Sequence, residues 1–199
     1  MNILQICKKF PYPAKDGETI AILGLTKSYA KLGHTVTVLG MNTPKHHFAP
    51  ENLPKEMRDT ATFHAVSVDS SVKLGAAFRN LFSKESYNIQ RFISNEFEEK
   101  LKKVVAGDRF HIIQLEGLYL SPYIPIIRKL SDAQILMRSH NIEFEIWQRL
   151  AQNDWNPLKK WYFNLLAKRL EAYELAHLND ADLLAPISPK DAKKYEEFG

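Results

Sequence analysis

Two short polar segments, each after an apolar run of the chain, carry side chains that can transfer protons or bind sugars. His140 with Asn141 follows one run, and Glu116 with Gly117 ends another. Histidine exchanges a proton near neutral pH, and a carboxylate can orient a base or accept hydrogen bonds from hydroxyl groups. Such runs predict buried strands, whose carboxyl ends form the ligand-binding edge of open α/β sheets. A loop histidine and a solvated or helix-capping glutamate are the structural alternatives.

A third candidate lies after the first apolar run, where Asp16 and Gly17 precede Glu18 and Thr19. Asp16 can cap a helix that begins here, and Gly17 permits close approach of another group. The segment is either only a capped helix or a helix start whose free N–H groups face a ligand. It lacks the GxGxxG pattern, and its two carboxylates would repel a diphosphate, which argues against a dinucleotide site. A hydroxyl-rich ligand such as a sugar fits better.

The remaining histidines lie in loops. His46 and His47 follow Lys45 in a long segment, where they are either solvated or in contact with an anionic acceptor. We predict Lys45 to bind substrate. His34 comes after Gly33 at the expected end of a helix and is predicted to be structural.

The sequence predicts no metal site and no reactive thiol. Glu143 and Glu145 follow His140, but residues two apart point to different faces of a helix. The single cysteine, Cys7, ends an apolar run, so a small buried thiol is the expected role.

A basic and aromatic segment, NPLKKWYFNLLAKRL, begins at residue 156. Its composition suits an anionic membrane surface, whereas a core helix with a charged outer face is the simpler alternative. The basic residues are Lys159, Lys160, Lys168 and Arg169, and the aromatic residues are Trp161, Tyr162 and Phe163.

Strands and helices must alternate to position these groups. Period-two and apolar runs predict strands at residues 2–7, 34–40, 62–68, 111–117, 133–139 and 181–187. Helical spacing predicts helices at residues 19–32, 73–82, 89–106, 121–130, 143–150 and 157–179, with another beginning at Ser188. Residues 42–60 are expected to be a loop. This order predicts one α/β domain over residues 1–199, Rossmann-like and doubly wound, with a mostly parallel sheet of six or seven strands.

Composition excludes some classes of protein. The chain is 45% hydrophobic and 25% charged, which is ordinary for a globular domain, and has neither a membrane-spanning run nor a secretory signal pattern. We therefore expect a cytoplasmic protein. Its net charge of +4 permits an anionic partner, but the lysines are scattered among acids and no nucleic-acid-binding motif is present.

The motifs in their order resemble the amino-terminal domain of a family 4 glycosyltransferase, a retaining sugar-nucleotide enzyme with the GT-B fold. The resemblance runs from residue 2 to about residue 198. It is carried by ILQICKKFPYPAKDGETIAI, KLGHTVTVL, NTPKHH, QLEG, RSHNIEFEIW with PLKKWYF, and DADLLAPISPKD.

The resemblance implies roles for the candidate residues. Asp16 and Gly17 would lie near the transferring sugar and phosphate, Glu116 would help place the acceptor, and His140 would contact the sugar that moves. The family often has two adjacent glycines in the first loop. Here Glu18 follows Gly17, which argues against backbone contact with phosphate and favours an acceptor role.

The resemblance also implies a reaction. A sugar would pass with retention from a UDP- or GDP-sugar to the hydroxyl of a sugar or lipid-linked acceptor, as in polysaccharide or glycolipid synthesis, without a metal or other cofactor. A second, nucleotide-sugar-binding domain would be missing from this chain, so we expect the chain to be inactive alone. Peripheral contact with the inner face of a membrane is a further expectation.

Three other functions remain open at this point. A non-catalytic module that binds sugar or a membrane fits the same residues. An NAD-linked enzyme would need the phosphate-binding pattern that the first loop lacks. A nucleotide-sugar epimerase shares the two-domain architecture but would need more carboxylates at the strand ends.

Overall fold

A computed structural model describes all 199 residues of the chain. Its centre is a six-stranded sheet in which every neighbouring pair of strands is parallel. The strands are β1 (Asn2–Cys7), β2 (Thr35–Asn42), β3 (Thr62–Ser67), β4 (Ile112–Glu116), β5 (Gln134–Ser139) and β6 (Leu183–Pro186). Their spatial order is β3-β2-β1-β4-β5-β6, the order of a Rossmann-like doubly wound sheet.

Nine helices complete the architecture. They are α1 (Gly17–Lys31), α2 (Lys55–Thr60), α3 (Leu74–Asn80), α4 (Tyr87–Gln90), α5 (Asn95–Gly107), α6 (Ile124–Leu130), α7 (Glu143–Asn153), α8 (Pro157–Ala176) and α9 (Pro189–Phe198). Short 3-10 helices span Pro50–Asn52 and Leu118–Tyr123. No helix is both long enough and apolar enough to cross a membrane.

Alternate side chains of the central strands pack on opposite faces of the sheet. Leu4 and Ile6 of β1 belong to the largest core cluster, which includes Phe97 of α5. Cys7 packs on the other side against Ile22 of α1. Burial of both faces explains why these strands are nearly continuous apolar runs. The α/β fold predicted from the sequence is confirmed, with six parallel strands.

The order of the strands creates a crevice at one edge of the sheet. The chain leaves β1 towards β2 on one side, whereas β4 on the other side leads on to β5. At such a switch point the loops after neighbouring strands separate and leave room for a ligand. The register pairs Cys7 with Glu116 and Glu116 with Arg138, so the ends of three strands are level at this edge.

The single helix predicted over residues 89–106 is wrong, because α4 ends at Gln90 and α5 starts at Asn95. The hydroxyl group of Tyr123 separates them: it donates to the carbonyl of Phe92 at 2.8 Å and accepts from the N–H of Ser94 at 3.0 Å. Ser94 then caps α5 by accepting from the N–H of Phe97. A tertiary contact therefore interrupts a segment with continuous helical spacing.

The loop predicted over residues 42–60 is also partly wrong, because it contains α2 and a 3-10 turn. Leu53 and Met57 pack against Phe10 and Leu23, so the segment is anchored to the body of the domain. The helix predicted from residue 121 begins as a 3-10 turn and becomes α-helical at Ile124.

Candidate functional site

A histidine and a glutamate meet at the carboxyl edge of the sheet. Glu116 is the last residue of β4, and His140 follows β5, the adjacent strand. The Nε2 atom of His140 lies 2.7 Å from Oε2 of Glu116. Glu116 is fully buried and His140 is 6% exposed. The sequence indicates these two residues as separate candidates, and the structure joins them as a dyad.

The carboxylate of Glu116 is held entirely by the protein. Besides His140, it accepts a hydrogen bond from Nη1 of Arg138 at 2.8 Å and another from Nε2 of Gln114. A buried carboxylate with three partners has no free oxygen surface for a ligand, so of the two roles considered for Glu116, orienting a base fits better than direct hydrogen bonding to a sugar hydroxyl. The solvated alternative is excluded by the same burial. Glu116 therefore positions His140.

The dyad fixes which nitrogen of His140 can serve a ligand. Because the carboxylate of Glu116 accepts hydrogen bonds, Nε2 carries the proton that joins the pair. Nδ1 makes no hydrogen bond within the chain. It can accept a hydrogen bond when the ring is neutral, and donate one when the ring is protonated.

A buried polar chain supports the dyad from behind. The hydroxyl group of Tyr29 in α1 donates to Oε1 of Gln114 at 2.8 Å, and Gln114 in turn donates to Glu116. Gln114 is fully buried in β4. These bonds restrict the orientation of the carboxylate, and through it the orientation of the imidazole ring of His140.

The turn that carries His140 is fixed by side chains from two later helices, α8 and α9. Glu174 of α8 accepts from the N–H groups of Glu143 and Phe144 at the start of α7. Tyr195 of α9 donates to Glu174 at 2.6 Å, and its oxygen lies 2.9 Å from the hydroxyl oxygen of Ser139. Burial raises the pKa of Glu174 to about 7. The site is thus supported by elements far along the chain.

Asn141, predicted to bind substrate, is exposed beside His140. Its backbone carbonyl accepts from the hydroxyl groups of Ser139 and Tyr195, which fixes the backbone. The side-chain amide makes no hydrogen bond within the chain, so it is free to contact a ligand.

The first loop forms a capped helix start, which is the simpler of the two interpretations. Asp16 Oδ1 accepts from the N–H of Thr19, and the Thr19 hydroxyl accepts from the N–H of Asp16. Lys9 bonds Oδ2 of Asp16 at 2.8 Å. Burial alone would raise the pKa of Asp16, but the bonds from Lys9 and Thr19 lower it to about 2. A Cβ atom on Gly17 would meet no atom within 4 Å, so the space beside this helix start is open.

Two lysines that the sequence analysis did not select lie between these groups. Lys8 has its amino group 3.6 Å from Glu18 and 3.7 Å from Glu143, and 5.0 Å from the centre of the Tyr119 ring. Lys9 pairs with Glu18 at 3.1 Å as well as with Asp16. The signal that could have identified them is a pair of cations at the carboxyl end of β1.

Gly117 lies between Lys8 and the dyad, in a backbone conformation that requires glycine. Its φ of +106° is a backbone conformation that residues with a side chain rarely adopt. A Cβ atom here would lie 3.7 Å from Nζ of Lys8 and 4.0 Å from Cδ2 of His140. These distances place Lys8 and His140 on either side of Gly117 at van der Waals range.

Comparison of the sequence with models of known protein families found no match, and comparison with curated proteins found none either. The resemblance to family 4 glycosyltransferases therefore stays a prediction.

Glu143 and Glu145 point in different directions, as their spacing predicted. Glu143 is buried and accepts a hydrogen bond from Tyr119 at 2.9 Å. Burial and the charge of Glu143 raise the pKa of Tyr119, which keeps the phenol protonated as a donor. Glu145 instead pairs with Lys194 of α9.

Lys45 lines a pocket of about 340 Å³ beside the dyad, which we call the cationic pocket. Its walls come from the loops after β1, β2 and β3 and from the turn between α4 and α5. They contain Lys8, Lys9, Thr43, Pro44, Lys45, His46, Ser70, Ser71, Val72, Arg91 and Phe92. Lys8 lines this pocket and also lies beside Gly117, next to the dyad. His47 is exposed and does not line the pocket.

A larger cavity of about 610 Å³ lies at the opposite edge of the sheet, around residues 105–111 and 130–133. That edge carries the amino ends of the strands, where doubly wound folds do not place ligands. We therefore assign the candidate site to the carboxyl edge despite the smaller volume of its pocket.

Two further predictions about single residues can be compared with the structure. Cys7 is fully buried, and burial raises the pKa of its thiol well above the ordinary value, as expected of an unreactive cysteine. His34 lies beside Tyr29 at the end of α1, with Nδ1 3.4 Å from the terminal amino group of Met1.

The basic and aromatic segment divides into an outer and an inner part. Trp155, Leu158 and Trp161 are 99%, 76% and 58% exposed, and Lys159 and Lys160 are exposed beside them. Further along α8, Tyr162 and Phe163 are half-buried and pack near Trp147. Arg169 is not part of a basic outer face, because it donates to the carbonyl groups of Asn80 and Leu81 at the end of α3.

Proposed function

We propose that this chain is the acceptor-side domain of a retaining glycosyltransferase that uses a nucleotide sugar. The observation that carries the proposal is the His140–Glu116 dyad at the carboxyl edge of the sheet, beside the switch point between β1 and β4. The ligand-facing nitrogen of His140 is free and its other nitrogen is held by a buried carboxylate. Open space beside Gly17 and the exposed amide of Asn141 also support it.

In the proposed reaction, the bond between the anomeric carbon and the leaving diphosphate breaks, and a bond from that carbon to the acceptor oxygen forms on the same face. The acceptor hydroxyl proton passes to the departing diphosphate. His140 is oriented by Glu116, and in its protonated form it donates from Nδ1 to the donor sugar and to the oxygen atoms on which charge develops. A donor that is already oriented stabilises such charge without reorganisation during the reaction.

The charges around the first loop support a second domain as the holder of the nucleotide. Lys8 and Lys9, two cations beside the start of α1, are paired with Asp16, Glu18 and Glu143. A diphosphate at this position would meet three carboxylates, which is unfavourable. We therefore propose that a facing domain supplies the cations for the diphosphate, and that the protein acts in the cytoplasm, where it meets nucleotide sugars.

The test is a screen of UDP- and GDP-sugars against sugar and lipid-linked acceptors, using the product of the complete open reading frame. The anomeric configuration of any product is read from its one-bond C1–H1 coupling by NMR spectroscopy. We expect transfer with retention. A product of inverted configuration, or hydrolysis and transfer undetectable with every donor, would contradict the proposal.

A second candidate function is a non-catalytic module that binds an anionic membrane. It is supported by the exposed residues Trp155, Leu158 and Trp161, next to Lys159 and Lys160. Leu158 and Trp161 are three residues apart, so they share one face of α8. Aromatic rings and lysines at one surface are typical of peripheral membrane contact.

Co-sedimentation with vesicles tests the membrane-binding candidate. The membrane proposal predicts binding to phosphatidylglycerol vesicles, weaker binding to phosphatidylcholine vesicles, and loss of binding in the double variant Trp155→Ala, Trp161→Ala. Leu32→Ala is a control, because Leu32 is 71% exposed at the end of α1. Equal binding of the double variant and the parent protein would exclude this surface.

A further inference from the structure

The cationic pocket has an unbalanced set of charges. Four cationic side chains line it, Lys8, Lys9, Lys45 and Arg91, together with His46, and no carboxylate does. Lys8 and Lys9 are paired with acids outside the pocket. Lys45 and Arg91 form no ion pair at all, although ion pairs hold most of the charged groups around the neighbouring dyad. Unpaired cations that converge on a concave surface favour an anionic ligand.

Arg91 is fixed before any ligand arrives. Its Nε and Nη2 atoms donate to the carbonyl of Ser70 at 2.9 and 2.6 Å, and its guanidinium group lies 5.9 Å from the centre of the Phe92 ring. Nη1 makes no hydrogen bond within the chain. A guanidinium group held in this way loses little side-chain freedom on binding an anion.

Hydroxyl groups and apolar atoms complete the lining. The hydroxyl group of Ser70 makes no hydrogen bond within the chain, whereas that of Ser71 is bonded to Asp69. Asp69 is the nearest acid along this loop, and it is paired with Lys73. Val72 and Phe92 add an apolar side that suits the C–H face of a sugar ring.

We propose that the cationic pocket binds the phosphate group of a small phosphorylated sugar. Several cations and a free hydroxyl group match the three oxygens and nearly two charges of a phosphate monoester better than the single charge of a carboxylate. A volume of about 340 Å³ is at the small end of ligand sites, which fits a monosaccharide phosphate.

The position of Lys8 links this ligand to the dyad. Lys8 lines the cationic pocket and also lies against Gly117, next to His140. A sugar whose phosphate is held by Lys45 and Arg91 would therefore extend its hydroxyl groups towards His140. The inference rests on the proposed function for one point only, namely that the phosphorylated sugar is the acceptor.

Isothermal titration calorimetry of this chain tests the binding step without any transfer reaction. The probes are glucose 6-phosphate, glucose, glucuronate and inorganic phosphate. We expect glucose 6-phosphate to bind at least about tenfold more tightly than glucose, since charged hydrogen bonds are added. Its affinity should fall as NaCl is raised from 50 to 500 mM. Equal affinity for glucose, or for glucuronate, would overturn the assignment of a phosphate site.

Lys45→Ala locates the site. Lys45 is exposed and unpaired, so the variant should fold normally and lose about tenfold in affinity for glucose 6-phosphate. Lys55→Ala is the matched control, because Lys55 is equally exposed and unpaired but lies outside the pocket. Arg91→Gln should lose affinity as well, and its thermal denaturation shows whether the turn survives. Unchanged affinity in Lys45→Ala and in a folded Arg91→Gln would overturn the inference.

The two experiments distinguish a failure of the phosphate-site proposal from a failure of the glycosyl-transfer proposal. If glucose 6-phosphate binds, Lys45→Ala weakens that binding about tenfold and no nucleotide sugar reacts, the phosphate-site proposal is supported and the glycosyl-transfer proposal is contradicted. If transfer occurs to unphosphorylated sugars and no probe binds, transfer stands and the phosphate pocket does not.

Discussion

Nε2 of His140 lies 2.7 Å from Oε2 of Glu116, and this one contact joins the ends of β4 and β5, beside the switch point between β1 and β4. In this contact Nε2 of His140 is bonded to the protein, whereas Nδ1 is free to bond a ligand. Histidines used in catalysis are commonly oriented in this way by a carboxylate. The contact therefore carries the main prediction about activity.

We expect His140→Ala to lower the turnover number of the active protein by about a hundredfold, the effect of losing one preorganised donor. The measurement is steady-state transfer from the best sugar nucleotide found in the screen. His34→Ala is the control, because His34 lies near the terminal amino group of Met1, away from the crevice. A turnover number unchanged in His140→Ala would remove the histidine from the mechanism.

Glu116→Ala should affect stability as well as activity. The substitution leaves Arg138 and Gln114 without their acceptor, and removing one member of a buried ion pair costs about 3 kcal/mol of unfolding free energy. Urea denaturation measures this loss. Glu56→Ala serves as the comparison, since the ion pair of Glu56 with Lys27 is at the surface and its removal should be undetectable. If Glu116→Ala is as stable as Glu56→Ala, the bonds of Glu116 with Arg138 and Gln114 do not stabilise the fold.

The six strands and their parallel arrangement were predictable because each strand is a compact apolar or β-branched run between helical segments. The break between α4 and α5 was not, since it depends on Tyr123, which lies about thirty residues away in the sequence. Local spacing cannot report a hydrogen bond made across the core. The same limitation hid α2, whose Met57 is buried only because Phe10 packs against it.

The sequence predicted which residues of the candidate site lie at strand ends, but it did not predict the contacts among them. Glu116 and His140 were both identified from their positions after apolar runs. Their pairing depends on the register of β4 against β5, which no local pattern encodes. Lys8 was missed for a related reason: a lysine in a loop rich in charge looks solvated until the fold brings Glu143 to it.

Glu174 makes stability depend on pH in an unusual direction. Burial raises its pKa to about 7, so the folded state holds a proton that the unfolded state releases near pH 4.5. The unfolded state then binds fewer protons between these values, and the unfolding free energy must fall as pH rises from about 4.5 through 7. The stabilisation from the raised pKa of Glu174 is fully present below pH 4.5. As pH rises through 7, the unfolding free energy loses this part, which is of the order of 3 kcal/mol.

Glu174→Gln should remove that dependence. The amide does not titrate, and its single oxygen can accept from only one of the two N–H groups of Glu143 and Phe144. The loss of the other bond lowers the unfolding free energy by the same amount at every pH and leaves the slope unaffected. Urea denaturation of the parent and the variant at pH 5, 6, 7 and 8 gives the difference in slope, from which the other titrating groups cancel. Parallel stability curves would show that Glu174 titrates alike in the folded and unfolded states.

Gly17→Ala tests whether a ligand uses the open space at the start of α1. A Cβ atom at Gly17 would meet nothing within 4 Å, and alanine restricts the unfolded chain more than glycine. The unfolding free energy should therefore stay the same or rise by up to about 1 kcal/mol. Transfer activity should fall nonetheless, because the added methyl group would occupy the space that we assign to the sugar.

Gly24→Ala separates the two effects, because Gly24 is also in α1 and a Cβ atom there also meets nothing within 4 Å. Both variants should be at least as stable as the parent protein in urea, since each replaces a helical glycine by alanine. Only Gly17→Ala should raise the KM for an acceptor or lower the turnover number. At neither position does the added methyl group touch another atom of the protein. A loss of activity confined to Gly17→Ala therefore means that the methyl group at residue 17 obstructs a ligand. Full activity in both variants would mean that no ligand approaches the amino end of α1.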